Sequence, residues 1–499
     1  MKVNVKRTIL IGFAFLMISM FWQVYDNLIA KMLVDSFGLN QTMSGFVMAL
    51  DNILAIFLLP LFGLWSDKTM TKLGKRTPYI IVGTIVAALL ITGVSIFDFY
   101  QQQAIVQNGI SGIQTNVVGG ITQYFYTVNN NVILQAAQRD LVAASRAETI
   151  LSSITLANPT MFIFFIVILF VVLFAMAAFR TPAVSLMPDV TPKPLRSKGN
   201  AIINLMGVVG GVISLVSMSF TANQNSTMFA NYGYIPAMLV LAVLMIVMLV
   251  VFLTTVKENK WATEMEEFSI QHKIITREEL EEEKSGVSHK LPKDVKRSLI
   301  LILTSVILWF MAYNAATTKY SVYVTNTLGQ ANFTLPLMVA NITAAISFIP
   351  IGIISTKFGR RKTILVGIGI LTVALVIGIF VTPETSFLMF ATMGLAGVGW
   401  ATINVNSYPM VVEMARGSNV GVYTGYYYTA SMAAQIITPI LSGLLMDLFL
   451  KYVPSFGTRI LFVYSAVFSL IAFIPMFFVK HGESVHLDGE KVELHIEAD

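Results

Sequence analysis

The chain has 499 residues, 56% of them hydrophobic and only 12% charged, with a formal net charge of +6. A soluble chain of this length carries about twice that charged fraction, so the composition specifies an all-α polytopic membrane protein. The absence of cysteine excludes disulfides, haem attachment and thiolate metal sites, and the cations sit in loops on one side rather than forming a nucleic-acid surface.

Lys2, Lys6 and Arg7 precede an apolar run that superficially resembles a signal peptide. No small-residue cleavage site follows, and Gln23 and Asp26 come directly after it at membrane depth, so the run reads as a retained first helix. A crossing needs about 20 mainly apolar residues, and twelve segments qualify. They are 8–36, 41–66, 77–98, 159–180, 197–221 and 233–256, then 297–322, 333–356, 362–382, 386–411, 419–447 and 458–480. This gives a first six-helix bundle over 1–256, a cytoplasmic linker over 257–296, a second bundle over 297–480 and a cytoplasmic tail over 481–499. Both termini are then cytoplasmic in a multi-pass protein of the cell membrane. Of 33 Lys and Arg residues, 27 fall on the inner side of this arrangement, and Lys31, Arg139, Arg146, Lys319, Lys451 and Arg459 fall outside. That asymmetry is what insertion orientation requires.

Two loops stand out. Residues 99–158 form a long outer insertion whose latter part has helix-forming composition and is expected to cap the outer surface. The 257–296 linker carries the acidic run TREELEEEK at 276–284, which reads as a solvated helix joining two bundles.

Residues 63–79, GLWSDKTMTKLGKRTPY, combine Asp67 with Lys68, Lys72, Lys75 and Arg76 and with glycines at Gly63 and Gly74. A shortened copy, GIISTKFGRRK, occupies 352–362 with Gly359, Arg360 and Arg361, and has Thr356 where the first has Asp67. A second pair of loops repeats a proline, an acid and a base: Pro182, Asp189 and Arg196 in one, Pro409, Glu413 and Arg416 in the other. Parallel repeats of six helices imply two bundles related by an axis along the membrane normal, with a substrate site between them at the midplane.

With Gly63, Ser66, Asp67, Gly74, Lys75 and Arg76 in one hairpin and Gly352, Ser355, Gly359, Arg360 and Arg361 in the other, the chain resembles the major facilitator superfamily. Within it, LPLFGLWSDKTMTKLGKRTPYIIVG and FRTPAVSLMPDVTPKPLRSKGNAIINLMG resemble the glycoside-pentoside-hexuronide cation symporters and the sucrose-type transporters. The resemblance implies cation-coupled sugar uptake by alternating access. One departure matters: sodium-using members place carboxylates on helix 2, one directly before a proline, and on helix 4. Here Leu59 precedes Pro60, Ala55 lies one turn earlier, and 161–179 holds no acid. A proton is therefore the expected co-substrate, ahead of Na+.

The candidate residues fall into three groups. Asp67 is expected to hold a neighbouring helix amino terminus, or to pair with Arg76 or with a cation of the other hairpin, so that the cytoplasmic side closes in one state. Arg180 joins that gate, with Asp189, Arg196, Gly359, Arg360, Arg361, Glu413 and Arg416, and Asn200 lies near the inner mouth; the hairpin cations would also serve simply to orient the helices. Asp26 and Asp51 each cost about 3 kcal/mol at a bilayer centre unless paired or hydrated. They lie 11 and 10 residues from their outer helix ends, at one depth, where they can share a proton; buried structural acids bonded to Asn27, Asn52 or Lys31 are the alternative. Sugars are held by amide and carboxylate hydrogen bonds and by aromatic faces, which nominates Trp22, Gln23, Asn204, Trp309, Tyr313, Asn314, Trp400, Asn404, Tyr427 and Gln435, with Tyr426 beside them. Of these, Gln23, Asn314 and Trp400 carry most weight.

His272, His289, His481, His486 and His495 have no ligand spacing and no phosphate loop is present, so the sequence predicts neither an enzyme nor a cofactor. The reading is a proton-coupled importer of a glycoside or small oligosaccharide. The alternatives are a lipid or amphipathic-drug transporter on the same fold, with a cavity lined by Met, Phe and Leu, and a non-transporting sensor or scaffold.

Overall fold

The computed structural model describes residues 4–192, 196–222, 232–271, 292–330, 332–412, 414 and 420–482. Twelve of its helices are long and apolar enough to cross a membrane, because in hydrocarbon each backbone N–H and C=O must be paired within its own segment. In chain order these begin with α1 (Val5–Ser36), α2 (Gln41–Lys68) and α3 (Thr77–Gln107). Asn40 fixes the start of α2, its side chain accepting from Met43 N at 2.8 Å. Helix α1 is not regular: π turns occupy Tyr25–Ile29 and Met32–Ser36, the first of them holding Asp26. Such turns recur at functional positions in helices.

The insertion holds a small sheet besides the helix expected in its latter part. Helix α3 runs on to Gln107, past the expected limit at 98, and is followed by three antiparallel strands, β1 (Gln114–Val118), β2 (Ile121–Val128) and β3 (Asn131–Ala136). Two-residue turns join them, Gly119–Gly120 and Asn129–Asn130, all four residues at positive φ. Paired positive φ values match the twist of a tight hairpin. The strands bury Tyr126 against α4 (Arg139–Ile150), where its hydroxyl lies 2.8 Å from Thr149 Oγ1. The helix expected in the latter part of the insertion is thus present, beside a sheet.

Helix α5 (Thr160–Asp189) also exceeds its expected limit at 180, continuing through Pro182 and Pro188. Prolines are tolerated at membrane depth where neighbours re-satisfy the freed carbonyls. Then come α6 (Arg196–Thr221), α7 (Ile235–Thr255) and α8 (Glu258–Gln271). The last is the first part of the linker, and it packs on the bundle rather than standing in solvent: Trp261 is buried under the Arg7 guanidinium at 5.2 Å, and Arg7 Nη1 meets Glu264 at 2.6 Å. The acidic run at 276–284 lies outside the described residues.

The second half opens with α9 (Lys293–Thr318) and a short α10 (Tyr320–Asn326), broken at Lys319. It continues with α11 (Thr334–Phe358), α12 (Arg360–Ile379), α13 (Leu388–Val412), α14 (Val420–Tyr452) and α15 (Ile460–Phe477). In the first half α1 packs on α6, and α3 on α5 and α7; in the second α12 and α11 pack on α13, and α9 on α15 and α14. The halves meet chiefly through α2 on α14 and α6 on α11. The α2–α14 contact needs glycine on both sides: a Cβ on Gly45 would fall 2.1 Å from Pro439 O, and one on Gly443 2.2 Å from Gln41 O.

Candidate functional site

Where the halves meet, a cavity of about 170 Å³ is lined by 13 residues. Seven are polar: Gln23, Asp26 and Asn27 from α1, Tyr313, Asn314 and Thr317 from α9, and Asn341 from α11. Asn27 donates from Nδ2 to the Gln23 carbonyl at 2.8 Å, and Asn341 Nδ2 reaches toward Gln23 Oε1 at 3.5 Å across the junction. Two buried polar atoms here have no protein partner, the acceptor Asn27 Oδ1 and the donor Asn314 Nδ2. A buried group left unpaired costs about 1–3 kcal/mol, so both are ready for a hydroxyl-bearing ligand. Trp400 stacks on the cavity residue Tyr313, centroids 4.1 Å apart and planes at 10°, and meets Phe310 edge-on.

Beside the cavity lies a charged cluster. Asp26 interacts electrostatically with Asp51 and with Arg180, and Asp51 with Arg180 as well. Asp51 Oδ1 accepts from Asn52 Nδ2 at 2.7 Å. Arg180 was expected at the cytoplasmic gate, but α5 extends nine residues beyond it to Asp189. That places it about 13 Å inside the helix end, with its guanidinium 5.7 Å from the Trp22 ring centroid. Two carboxylates thus share the field of one guanidinium.

The other nominated residues are placed differently. Trp22 packs edge-on against Phe21 and Tyr25 and carries Arg180 on its face. Trp309 is fully buried and does not line the cavity. Tyr427 is likewise buried, its hydroxyl 3.0 Å from Ser407 Oγ. Gln435 donates to the Ser431 carbonyl at 3.2 Å, within its own helix. Asn204 and Tyr426 are exposed and Asn404 half-buried, none lining the cavity. Asn341 and Thr317 were not nominated, and Asn27 only as a structural partner of the buried acids; an asparagine in the middle of segment 333–356 was the available signal.

At the opposite end of α2 the charged hairpin folds around Arg76, which is 5% exposed. Its Nε donates to Asp189 Oδ2 at 2.8 Å, Nη1 to Ser66 Oγ at 2.5 Å and Nη2 to Asp67 Oδ1 at 2.5 Å. Burial alone would lower the Arg76 pKa, but the Asp189 and Asp67 carboxylates outweigh it and raise the pKa above that of a free arginine. The helix-holding role expected of Asp67 belongs to Glu258. Its carboxylate accepts from Lys75 N at 2.6 Å, Arg76 N at 2.9 Å, Thr77 N at 2.9 Å and Thr77 Oγ1 at 2.7 Å, closing the start of α3. Gly74, at φ 124°, gives it room, since a Cβ there would fall 2.2 Å from Glu258 Oε2. Lys75 enters through its backbone, and Gly63 lies where a Cβ would be 3.3 Å from Thr181 Cγ2. In the second hairpin Gly359 separates α11 from α12 at φ 91°, and Arg361 lies over the Phe477 ring and donates to the Phe477 carbonyl. Arg360 begins α12. Glu413, Arg416 and the side chain of Arg196 lie outside the described residues.

At the insertion end a further set of bonds joins the halves. Asp447 of α14 accepts from Gln41 N at 3.0 Å and from Thr42 N and Oγ1 at 2.8 and 2.5 Å, so a carboxylate of the second half caps α2 of the first. Lys319 Nζ donates to the Gln41 carbonyl at 2.8 Å, and Asn326 to Asp35 at 2.9 Å. Helix α4 joins in: Arg139 Nε donates to the Thr325 carbonyl at 3.2 Å, and Asp140 accepts from Thr458 N at 3.1 Å.

Sequence comparison places this architecture. The family model described as Major Facilitator Superfamily matches residues 138–349 and 320–494. The chain belongs to the major facilitator superfamily. A second model, described as MFS/sugar transport protein, matches residues 10–128 of this superfamily member. Among curated proteins no sequence match is found. Among solved structures, the Escherichia coli xylose transporter XylE in a partially occluded inward-open conformation aligns with a TM-score of 0.63 and 11% identity, over 96% of this chain and 100% of that one. A crystal structure of the nucleoside transporter NupG gives 0.59 and 12% over 95% and 100%, and a bacterial homologue of the iron transporter ferroportin in an inward-facing state gives 0.59 and 14% over 95% and 99%. At these identities the likeness is one of fold. The superfamily member is a transporter, not an enzyme, and its twelve helices make it a multi-pass membrane protein.

Proposed function

We propose that this transporter moves a small sugar or simple glycoside together with a proton, by alternating exposure of the cavity between its halves. The observation that carries the reading is the cavity itself: an unpartnered acceptor at Asn27 and donor at Asn314, with the stacked Tyr313–Trp400 pair, directly beside Asp26. Hydroxyls and sugar C–H faces are what such a set recognises. At about 170 Å³ the cavity is below the usual range of about 300–1,000 Å³ for ligand pockets, which favours one sugar ring over an oligosaccharide. Met, Phe and Leu supply only three of its 13 lining residues, Leu337, Leu375 and Met393, which speaks against a lipid or amphipathic drug. The sugar-transport match over 10–128 and the xylose transporter's likeness in fold agree with this choice.

Asp26 and Asp51 with Arg180 form the coupling group. The hairpin residues Gly63–Arg76 with Asp189 and Glu258 form the inner gate of the first half. The bundles run over 1–256 and 297–480, with the hairpins, both termini and the linker cytoplasmic in the cell membrane, so the bonded insertion end is outside and the structure faces inward. Proteoliposomes with an imposed pH gradient test the reading. Labelled sugar from a monosaccharide panel should accumulate only when the gradient is present, and absence of uptake and exchange for every sugar would refute it.

A further inference from the structure

A second cavity, about 400 Å³, lies at the insertion end and shares no lining residue with the central one. Its wall carries three cations, Lys31, Arg139 and Arg146, against one carboxylate, Asp35. Asp98 lies close by, accepting from the lining residue Gln102 at 2.7 Å, and with it counted one positive charge is still unmatched. Lys31 is 4% exposed and spends its ammonium on Asp35 at 2.8 Å and Thr325 Oγ1 at 3.0 Å.

The two arginines are held differently, by backbone carbonyls and, for Arg139, by the Tyr124 ring 5.6 Å from its guanidinium. Arg139 Nε donates to Thr325 O, while Arg146 donates from Nε to Ser111 O at 2.7 Å and from Nη1 to Asp35 O at 3.3 Å. Carbonyls orient a guanidinium without neutralising it. Burial accordingly lowers the pKa of both arginines below the usual value, despite Asp35 nearby. Charge held this way on half-buried side chains in a concave pocket is stabilised by a counter-anion, and a planar guanidinium fork suits an oxyanion.

We propose that this cavity is a binding site for a small oxyanion, a carboxylate or phosphate group held by Arg139 and Arg146. Arg139 and Lys31 also bond Thr325, and Asp35 bonds Asn326, both in the second half. The anion therefore favours the state in which the insertion end is closed, and by linkage that state binds it more tightly.

Full-length protein in phosphatidylcholine nanodiscs, melted in sodium gluconate, sodium phosphate or sodium chloride at matched ionic strength, tests the site. Gluconate or phosphate should raise Tm saturably above chloride, the responding salt identifying the carboxylate or the phosphate source. Arg146→Gln should weaken the apparent affinity about tenfold or more. Gluconate and phosphate curves that both coincide with chloride, or a full response kept in Arg146→Gln, would overturn the site. In the wild-type protein, phenylglyoxal labelling of Arg139 and Arg146, read by mass spectrometry, should fall at saturating anion. Unchanged labelling there overturns the site even if the variant does not fold.

Discussion

Replacing Glu258 by alanine is the sharpest perturbation of the hairpin. The side chain is 4% exposed and its two oxygens take three backbone N–H groups and one hydroxyl, all at the start of α3. Loss of a capping side chain costs about 0.5–2 kcal/mol, and a hydrogen bond to a charged group is worth about 1.5–3 kcal/mol. The four bonds share one carboxylate and do not add, so about 3 kcal/mol is a reasonable total. At about 1.4 kcal/mol per decade that is roughly a hundredfold rise in local opening. Amide hydrogen exchange reads it at Lys75, Arg76 and Thr77, whose N–H groups the carboxylate holds. Their protection should drop by about two decades, with the interior of α5 unchanged, and Glu258→Gln should fall between. Protection equal to wild type in Glu258→Ala would refute the assignment of Glu258 as the cap of α3.

Three further changes report on other parts. Arg76→Lys cannot make three divergent bonds from one ammonium; transport should slow about tenfold while sugar affinity stays within about twofold, with most of the effect through Asp189, since Asp67 is 58% exposed and screened. Asp447→Ala strands the α2 amino terminus at about 2 kcal/mol, so a cysteine replacing the fully buried Ser44 should react roughly 30-fold faster with an impermeant maleimide in that background. Trp400→Leu removes the stack under Tyr313, worth about 1 kcal/mol, and should raise the KM for sugar roughly fivefold without unfolding the protein.

The twelve helices and the duplicated hairpins were legible because length and hydropathy determine them directly. Helix ends were not: α5 passes through Pro182 and Pro188, so Arg180 was placed at a gate when it lies beside Trp22 with Asp26 and Asp51. The insertion sheet had a readable signal in the GG and NN pairs, which sit between runs rich in β-branched and aromatic residues. Gln23, Tyr313 and Asn314, nominated from amides and aromatics at membrane depth, line the cavity. Trp309 and Tyr427 share that chemistry yet lie buried away from the cavity lining, and which face of a helix meets the junction is decided by tertiary contacts that one sequence does not display. Glu258 was out of reach for the same reason, lying more than 180 residues from the amides it holds.

The central claim is that sugar movement carries a proton through Asp26 and Asp51. Proteoliposomes adsorbed on a solid-supported membrane, given a sugar concentration jump with no pH gradient, measure it directly. Wild-type protein should produce an inward current that scales with uptake, and Asp51→Asn should lose the current while still exchanging labelled sugar across the membrane. A wild-type protein that exchanges sugar without current, or an Asp26→Asn/Asp51→Asn double variant with undiminished current, would contradict it.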